Sequence, residues 1–209
     1  MKLFFYYCLY GFSNCYLIGE DEEPAGGGKR RALIVDPGSM DEKIVGFIED
    51  NDYDLRAVLV THDHMNHVHG LRTLKRIYDV EVFAGDPTVC EERATLVKDG
   101  DRLELGSFAV DVFSVPGHSS DSVVYRIDRL LFSGDALTAG LVGTTASAYG
   151  RSVQSAAIRS KILSLPGDYT VLPGHGPPTT LETERRHNAG LEAAEKAGAQ
   201  RAAFVRDIW

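Results

Sequence analysis

Three imidazoles fall within six residues in the stretch Thr61-His62-Asp63-His64-Met65-Asn66-His67. Imidazole is the commonest side-chain ligand of transition metals. The run Ala57-Val58-Leu59-Val60 stands directly before them and reads as a buried strand. In extended chain at a strand end, the two-residue spacing of His62 and His64 points both rings to one side. A loop turning into a helix can return His67 to the same spot. The cluster therefore reads as a metal site at the C-terminal end of a strand, where α/β proteins place their chemistry. It is internal and non-repetitive, which sets it apart from a purification tag.

Three further segments share one grammar of apolar strand, small residue and ligand. They are Val115-Pro116-Gly117-His118, Phe132-Ser133-Gly134-Asp135 and Leu172-Pro173-Gly174-His175. Glycine lets the backbone approach a metal, and the strand end aims the ligand. The candidate metal ligands are thus His62, His64, His67, His118, Asp135 and His175. Of the remaining histidines, His69 is expected to be structural or to support a ligand, and His187 to be solvated in a charged helix. Tyr149 is read as a surface aromatic, with donation to a substrate oxyanion as the alternative. No Gly-x-Ser-x-Gly elbow is present, so a serine nucleophile is not indicated.

The elements that must position these groups follow from the apolar pattern. Strands are expected over 3–9, 15–18, 32–35, 57–60, 80–83, 102–105, 108–113, 122–127, 130–132 and 170–172. Helices are expected over 41–50, 67–78, 152–163 and 179–190. Two β-rich halves with helices between them imply two packed sheets covered outside by helices. The expectation is one α/β domain over 1–209, a four-layer αββα sandwich, with an exposed hairpin loop at 20–31 and a helical tail at 191–209.

The chain has 209 residues, 44% apolar and 25% charged, which suits one globular domain with a full core. A net charge of −8 argues against sequence-independent nucleic-acid binding and against anionic lipid. The apolar N-terminus, 1–18, is broken at 11–14 and reads as a β-hairpin, neither signal peptide nor membrane span. Cys8, Cys15 and Cys90 show no metal-ligand spacing, and an odd, small number fits a reducing cytoplasm. Cys8 and Cys15 could face each other across the hairpin; two buried thiols is the reading adopted. The partner expected is a small-molecule substrate, and the oligomeric state is left open.

The order His62-x-His64-x-Asn66-His67, then His118, Asp135 and His175, resembles the metallo-β-lactamase superfamily over nearly the whole chain, from Asn14-Cys15-Tyr16 to about His187. The resemblance implies a first metal on His62, His64 and His118. It implies a second metal on His67 and His175, with Asp135 bridging both. Asp36, in Asp36-Pro37-Gly38, resembles a family aspartate that braces the histidine loop, and Thr61 is expected to help it.

Asn66 departs from the family, which has an aspartate there that ligates the second metal and orients the attacking water. A neutral amide oxygen is a poorer partner for a divalent cation than a carboxylate. The expectation is one tight zinc site and a weakened second one, with iron or manganese as alternatives. Asp135 and Asn66 are the residues expected at the chemistry.

The segment Leu172-Pro173-Gly174-His175-Gly176-Pro177-Pro178-Thr179-Thr180, with Glu184-Arg185-Arg186-His187-Asn188, is similar to the glyoxalase II group. That implies a metal-dependent hydrolase of a thioester or related ester. Such a metal lowers the pKa of bound water toward neutrality and polarises a carbonyl. Two departures leave the substrate open. The group's helical glutathione-binding domain is expected to be missing, and 140–145 has no arginine where many relatives carry Gly-Arg-Thr. The alternative is a mononuclear-iron persulfide dioxygenase with His62, His118 and Asp135 as its triad. A third class, a degenerate non-catalytic binding protein, rests on Asn66 alone.

Overall fold

In the computed structural model, residues 1–22 and 27–192 are described. Two six-stranded sheets face each other. The first runs in the order Lys2–Tyr7, Asn14–Gly19, Arg30–Val35, Tyr53–Leu59, Glu81–Ala84, Thr95–Leu96. The second runs Thr179–Thr180, Thr170–Pro173, Leu130–Gly134, Val123–Ile127, Phe108–Ser114, Arg102–Leu105.

Strand alternation sorts the apolar side chains into three buried layers. Tyr16, Ile18, Leu33, Val35, Ala57 and Leu59 of the first sheet meet Val110, Val112, Val123, Tyr125 and Phe132 of the second. The opposite faces of the same strands, through Leu17, Ile34 and Val58, pack on Ile44 and Ile48 of helix Glu42–Asp50 and on Leu71 and Leu74 of helix Leu71–Ile77. On the other side of the molecule, Val124, Leu131 and Val171 pack on Ala157, Ile158, Ile162 and Leu181. Helix, sheet, sheet and helix make four layers, as expected for the αββα sandwich.

Pairing places the ligand-bearing ends together. Arg30–Val35, Tyr53–Leu59 and Glu81–Ala84 run parallel, so Asp36 and Thr61 leave the first sheet at one edge. Leu130–Gly134 and Thr170–Pro173 are also parallel, which brings Asp135 and His175 out side by side. Backbone bonds join the sheets at this edge: Asn14 N donates to Gly174 O at 2.7 Å and Val123 N to Thr61 O at 2.9 Å.

Several expected boundaries move. The helix expected over 67–78 is two helices, Met65–Val68 and Leu71–Ile77. The break comes where Gly70 N donates to Pro37 O, tying the histidine loop to the Asp36 turn. The helix expected over 152–163 begins earlier, at Ala148, with Ser147 Oγ accepting from Gly150 N, and continues as a π-helical stretch Ile158–Leu163. The helix expected over 179–190 starts at Leu181, because Thr179–Thr180 pairs with Thr170 and Val171 as a short strand. Arg30 and Arg31 belong to a strand and not to the loop expected at 20–31, of which 23–26 lie outside the described residues. Of the expected tail, 193–209 lies outside the described residues. Among the described residues, no helix is long and apolar enough to cross a membrane.

Candidate metal centre

All the candidate ligands but His67 sit just past the end of a strand. His62 and His64 follow Tyr53–Leu59, and His67 lies in the helical turn Met65–Val68. His118 follows Phe108–Ser114, Asp135 follows Leu130–Gly134, and His175 follows Thr170–Pro173. One ligand atom from each of His62, His64 and His118 lies within 4.8 Å of the others, and the same holds for His62, His67 and Asp135. Asp135 Oδ2 stands between the two groups. It lies 3.6 Å from His118 Nε2, 3.6 Å from His67 Nε2 and 4.0 Å from His62 Nε2.

The hydrogen bonds around these rings assign their tautomers. Asp36 is buried and accepts from Thr61 N at 2.8 Å, Thr61 Oγ1 at 2.6 Å and His67 Nδ1 at 3.0 Å. Thr61 has spent its single proton on Asp36, so its oxygen accepts from His62 Nδ1 at 3.1 Å. His118 Nδ1 donates to Thr144 O at 2.8 Å. In all three rings Nε2 is the nitrogen turned toward Asp135, and it offers a lone pair whenever the ring is neutral. The Nε2 atoms of His62 and His67 are buried and have no hydrogen-bond partner among the described residues. Unsatisfied buried nitrogens are costly. Lone pairs converging on one carboxylate are the donor set a divalent cation satisfies, so these residues fit a metal.

The electrostatics agree. Burial drives His62 down to about 3, helped by the charge of His67. Burial also pushes His67 down, but Asp36 and Asp135 override it and raise this ring to about 10. Burial would raise the Asp135 carboxyl, yet the hydrogen bond from His175 and the nearby charge of His67 hold it far below the usual carboxylate range. His64 is lowered by burial and by His118. Without a cation, His67 carries a positive charge between Asp36 and Asp135.

His175 stands slightly apart. It donates Nδ1–H to Asp135 Oδ1 at 2.7 Å, and this bond raises its pKa. Its Nε2 lies 3.0 Å from Asn66 Nδ2 and 3.2 Å from Gly11 O. Asn66 thus turns its amide to the His175 ring. Gly174 has room for no side chain, because a Cβ there would lie 2.4 Å from His67 Cε1 and 2.5 Å from Asp135 Oδ1.

Residues 9–175 match the metallo-beta-lactamase superfamily. The chain belongs to that superfamily.

Relatives within it support the same assignment. The chain is 29% identical over 204 residues to the hydroxyacylglutathione hydrolase GloC of Haemophilus influenzae, covering 86% of this chain and 93% of the relative. The crystal structure of the BLEG-1 B3 metallo-beta-lactamase superposes with a TM-score of 0.78 at 27% identity, covering 90% and 98% of the two chains. The structure of TTHA1623 in a di-iron-bound form gives 0.71 at 26% identity, covering 89% and 98%.

For this superfamily member, sequence reasoning missed a layer of supporting polar residues. Asn14 Nδ2 donates to Pro173 O at 2.9 Å and to Gly176 O at 2.8 Å, and Tyr16 Oη donates to Pro173 O at 2.7 Å. Glu184 is buried, accepting from Gly140 N, Thr179 Oγ1 and Asn188 Nδ2, and so fixes the loop after Asp135. Gln154 Nε2 donates to Ala136 O at 2.9 Å. Only long-range pairing reveals them. The other histidines lie outside the cluster. His69 is exposed and stacks on Tyr10 with ring centroids 4.0 Å apart, and His187 is exposed. Tyr149 is 80% exposed on the surface. Cys8 and Cys15 are buried free thiols.

Proposed function

We propose that the chain is a metal-dependent hydrolase of a thioester or related ester. The observation that carries this is the convergence of the His62, His64, His67 and His118 rings on Asp135, with two buried Nε2 atoms unsatisfied. A divalent metal bound there would lower the pKa of a coordinated water toward neutrality and polarise the substrate carbonyl. The name of the Haemophilus relative supports a thioester as substrate class.

His62, His64 and His118 would hold the tighter ion, with zinc the first choice. His67 and His175 would hold a second, with Asp135 shared. Asp135 stays ionised, so it serves as an anionic ligand and not as a proton acceptor. Asn66 has no charge and no acid–base chemistry, so its part is to orient a water or the His175 ring. Its amide bond to His175 supports a weaker second site. In the net reaction the carbonyl carbon gains an oxygen from water and the carbon–sulfur bond breaks. One water proton leaves with the thiol, and no electron changes hands. Three free thiols suit a reducing compartment such as the cytoplasm.

A one-metal iron oxygenase on His62, His118 and Asp135 is the second reading, and the neutral Asn66 favours it. TTHA1623 is described in a di-iron-bound form, which supports iron on this scaffold. Protein loaded separately with zinc, manganese and iron is assayed for thiol release from thioesters and for oxygen uptake with a persulfide. Thiol release is the expected result. Oxygen uptake without thiol release refutes the hydrolase.

A further inference from the structure

Among the described residues, the turn beside the candidate ligands is apolar, and the segments that carry those ligands hold no lysine or arginine. The turn between Lys2–Tyr7 and Asn14–Gly19 leaves Leu9 77%, Tyr10 46% and Phe12 63% exposed, and Met65, which precedes the Asn66 that this turn touches, is 52% exposed. Large apolar groups gathered in one exposed patch mark a binding surface more often than chance.

This turn is anchored to the ligands. Gly11 O lies 3.2 Å from His175 Nε2, and a Cβ on Gly11 would lie 2.3 Å from that of Asn66. Ser13 Oγ donates to Asn66 O at 2.5 Å, and Tyr10 stacks on His69 at 4.0 Å. Phe12 is held at φ 57°, a left-handed conformation that a bulky side chain rarely adopts. Burial does not explain that conformation, since the ring stacks on Tyr7 at 6.3 Å and stays 63% exposed.

Charge gives the second, independent constraint. The segments that carry or flank the ligands are 8–14, 61–70, 115–122, 135–150 and 173–180, and they contain no lysine or arginine. They do contain Asp63 and Asp121, linked through Asp63 N to Asp121 Oδ2 at 2.7 Å. The neighbouring hairpin Thr88–Val89 and Glu92–Arg93 is tied to Asp63 through Cys90 N. Arg72 and Lys75 reach that hairpin, but they pair with Glu91 and Glu92. Arg151 is the first cation past the 135–150 segment. An anionic acyl carrier such as glutathione, with two carboxylates and one ammonium, would find no free positive partner in these segments and would approach a chain of net charge −8.

Resting on the hydrolase reading above, we infer that the substrate is an uncharged thioester or ester whose apolar acyl group lies on Tyr10, Phe12 and Met65. Anionic glutathione conjugates are then poor substrates. The acyl chain supplies binding through removal of apolar surface from water, and the neutral carrier avoids the carboxylates at the rim.

The test uses four thioesters and the zinc-loaded full chain: acetyl and hexanoyl groups, each on N-acetylcysteamine and on glutathione. Hexanoyl is expected to exceed acetyl in kcat/KM by about tenfold. N-Acetylcysteamine is expected to exceed glutathione by about tenfold, with the gap narrowing at high salt. Phe12→Ser should lower the hexanoyl-to-acetyl ratio, and Phe12→Arg should raise turnover of the glutathione esters. Preference for the glutathione carrier, or a ratio unchanged in Phe12→Ser and Tyr10→Ser alike, overturns the inference. If no thioester is cleaved, the hydrolase reading fails. Calorimetric binding of S-hexyl-N-acetylcysteamine against S-hexylglutathione then still decides the ligand class, since tighter binding of the neutral thioether supports the inference and tighter binding of the glutathione thioether refutes it.

Discussion

Asp36→Asn is the sharpest perturbation of the centre that leaves every candidate ligand in place. Asp36 occupies a left-handed backbone position (φ 50°), which asparagine also tolerates, so the substitution adds no backbone strain. The Asn amide oxygen can still accept from Thr61 N. Its NH2 group would then face Thr61 Oγ1 and His67 Nδ1, both of which donate to Asp36 now. His67 must answer by moving its proton from Nδ1 to Nε2, and Nε2 then points a proton at Asp135, 3.6 Å away. The ring is lost as a metal ligand. Loss of such a supporting carboxylate typically costs about 10–100-fold in metal affinity. That range is about 1.4–2.8 kcal/mol. Loss of the charge-assisted bonds should also cost the metal-free protein about 1.5–3 kcal/mol. For a chain of this size that is about 3–12 °C in Tm. Competition with a chromophoric zinc chelator measures the affinity, and calorimetry of the metal-free protein measures the Tm. Zinc affinity within twofold of wild type would show that Asp36 does not set the His67 tautomer.

Gly174→Ala should lose at least about tenfold in zinc affinity while keeping the far-UV circular dichroism, because the new methyl displaces His67 or Asp135; unchanged affinity would contradict the close approach described above. Asn66→Asp should raise the tightly held zinc from one equivalent toward two by elemental analysis, and a wild-type chain already holding two equally tight ions defeats that reasoning. Because His67 is raised to about 10, it is protonated near neutral pH in the metal-free protein. Zinc uptake at pH 7.5 should therefore release about one proton from this ring, seen by titration calorimetry in two buffers of different ionisation enthalpy. The sign for stability follows from the same shift. A raised folded-state pKa stabilises fully below the unfolded value of 6.5, and the contribution is lost as pH rises through about 10, so the Tm of metal-free protein should fall over that interval.

Most of the candidate ligands could be placed because they obey a local rule: an apolar strand, then a small residue, then a donor. That rule needs only a few consecutive residues, so His118, Asp135 and His175 could be located without knowing what lay beside them. The four layers were legible for a similar reason, since strand alternation fixes which face each residue shows. What remained hidden depends on partners far apart in sequence. Nothing local distinguishes Glu184 from its helical neighbours Glu182 and Arg185; its burial comes from Gly140 N, 44 residues away. Asn14 looks like an ordinary turn residue until Pro173 O is placed beside it, 159 residues on. The break at Gly70 likewise needed Pro37 O. Periodicity alone ran the helix straight through it. The apolar rim at Leu9–Phe12 read as hairpin material, because hydrophobicity does not say which side chains find cover.

The Asn14–Gly174 and Thr61–Val123 bonds stitch the two sheets at the edge where the ligands gather. His62, His64 and His67 belong to the first half of the chain, and His118, Asp135 and His175 to the second. An ion at that seam would act as a rivet between halves that otherwise cohere through their shared apolar middle layer and a few hydrogen bonds such as Tyr125 Oη to Val60 O. Its affinity is then also a measure of how firmly the two halves stay joined. A chain cut in the 97–101 loop should yield fragments whose reassembly is governed by zinc concentration, with chelation drawing them apart.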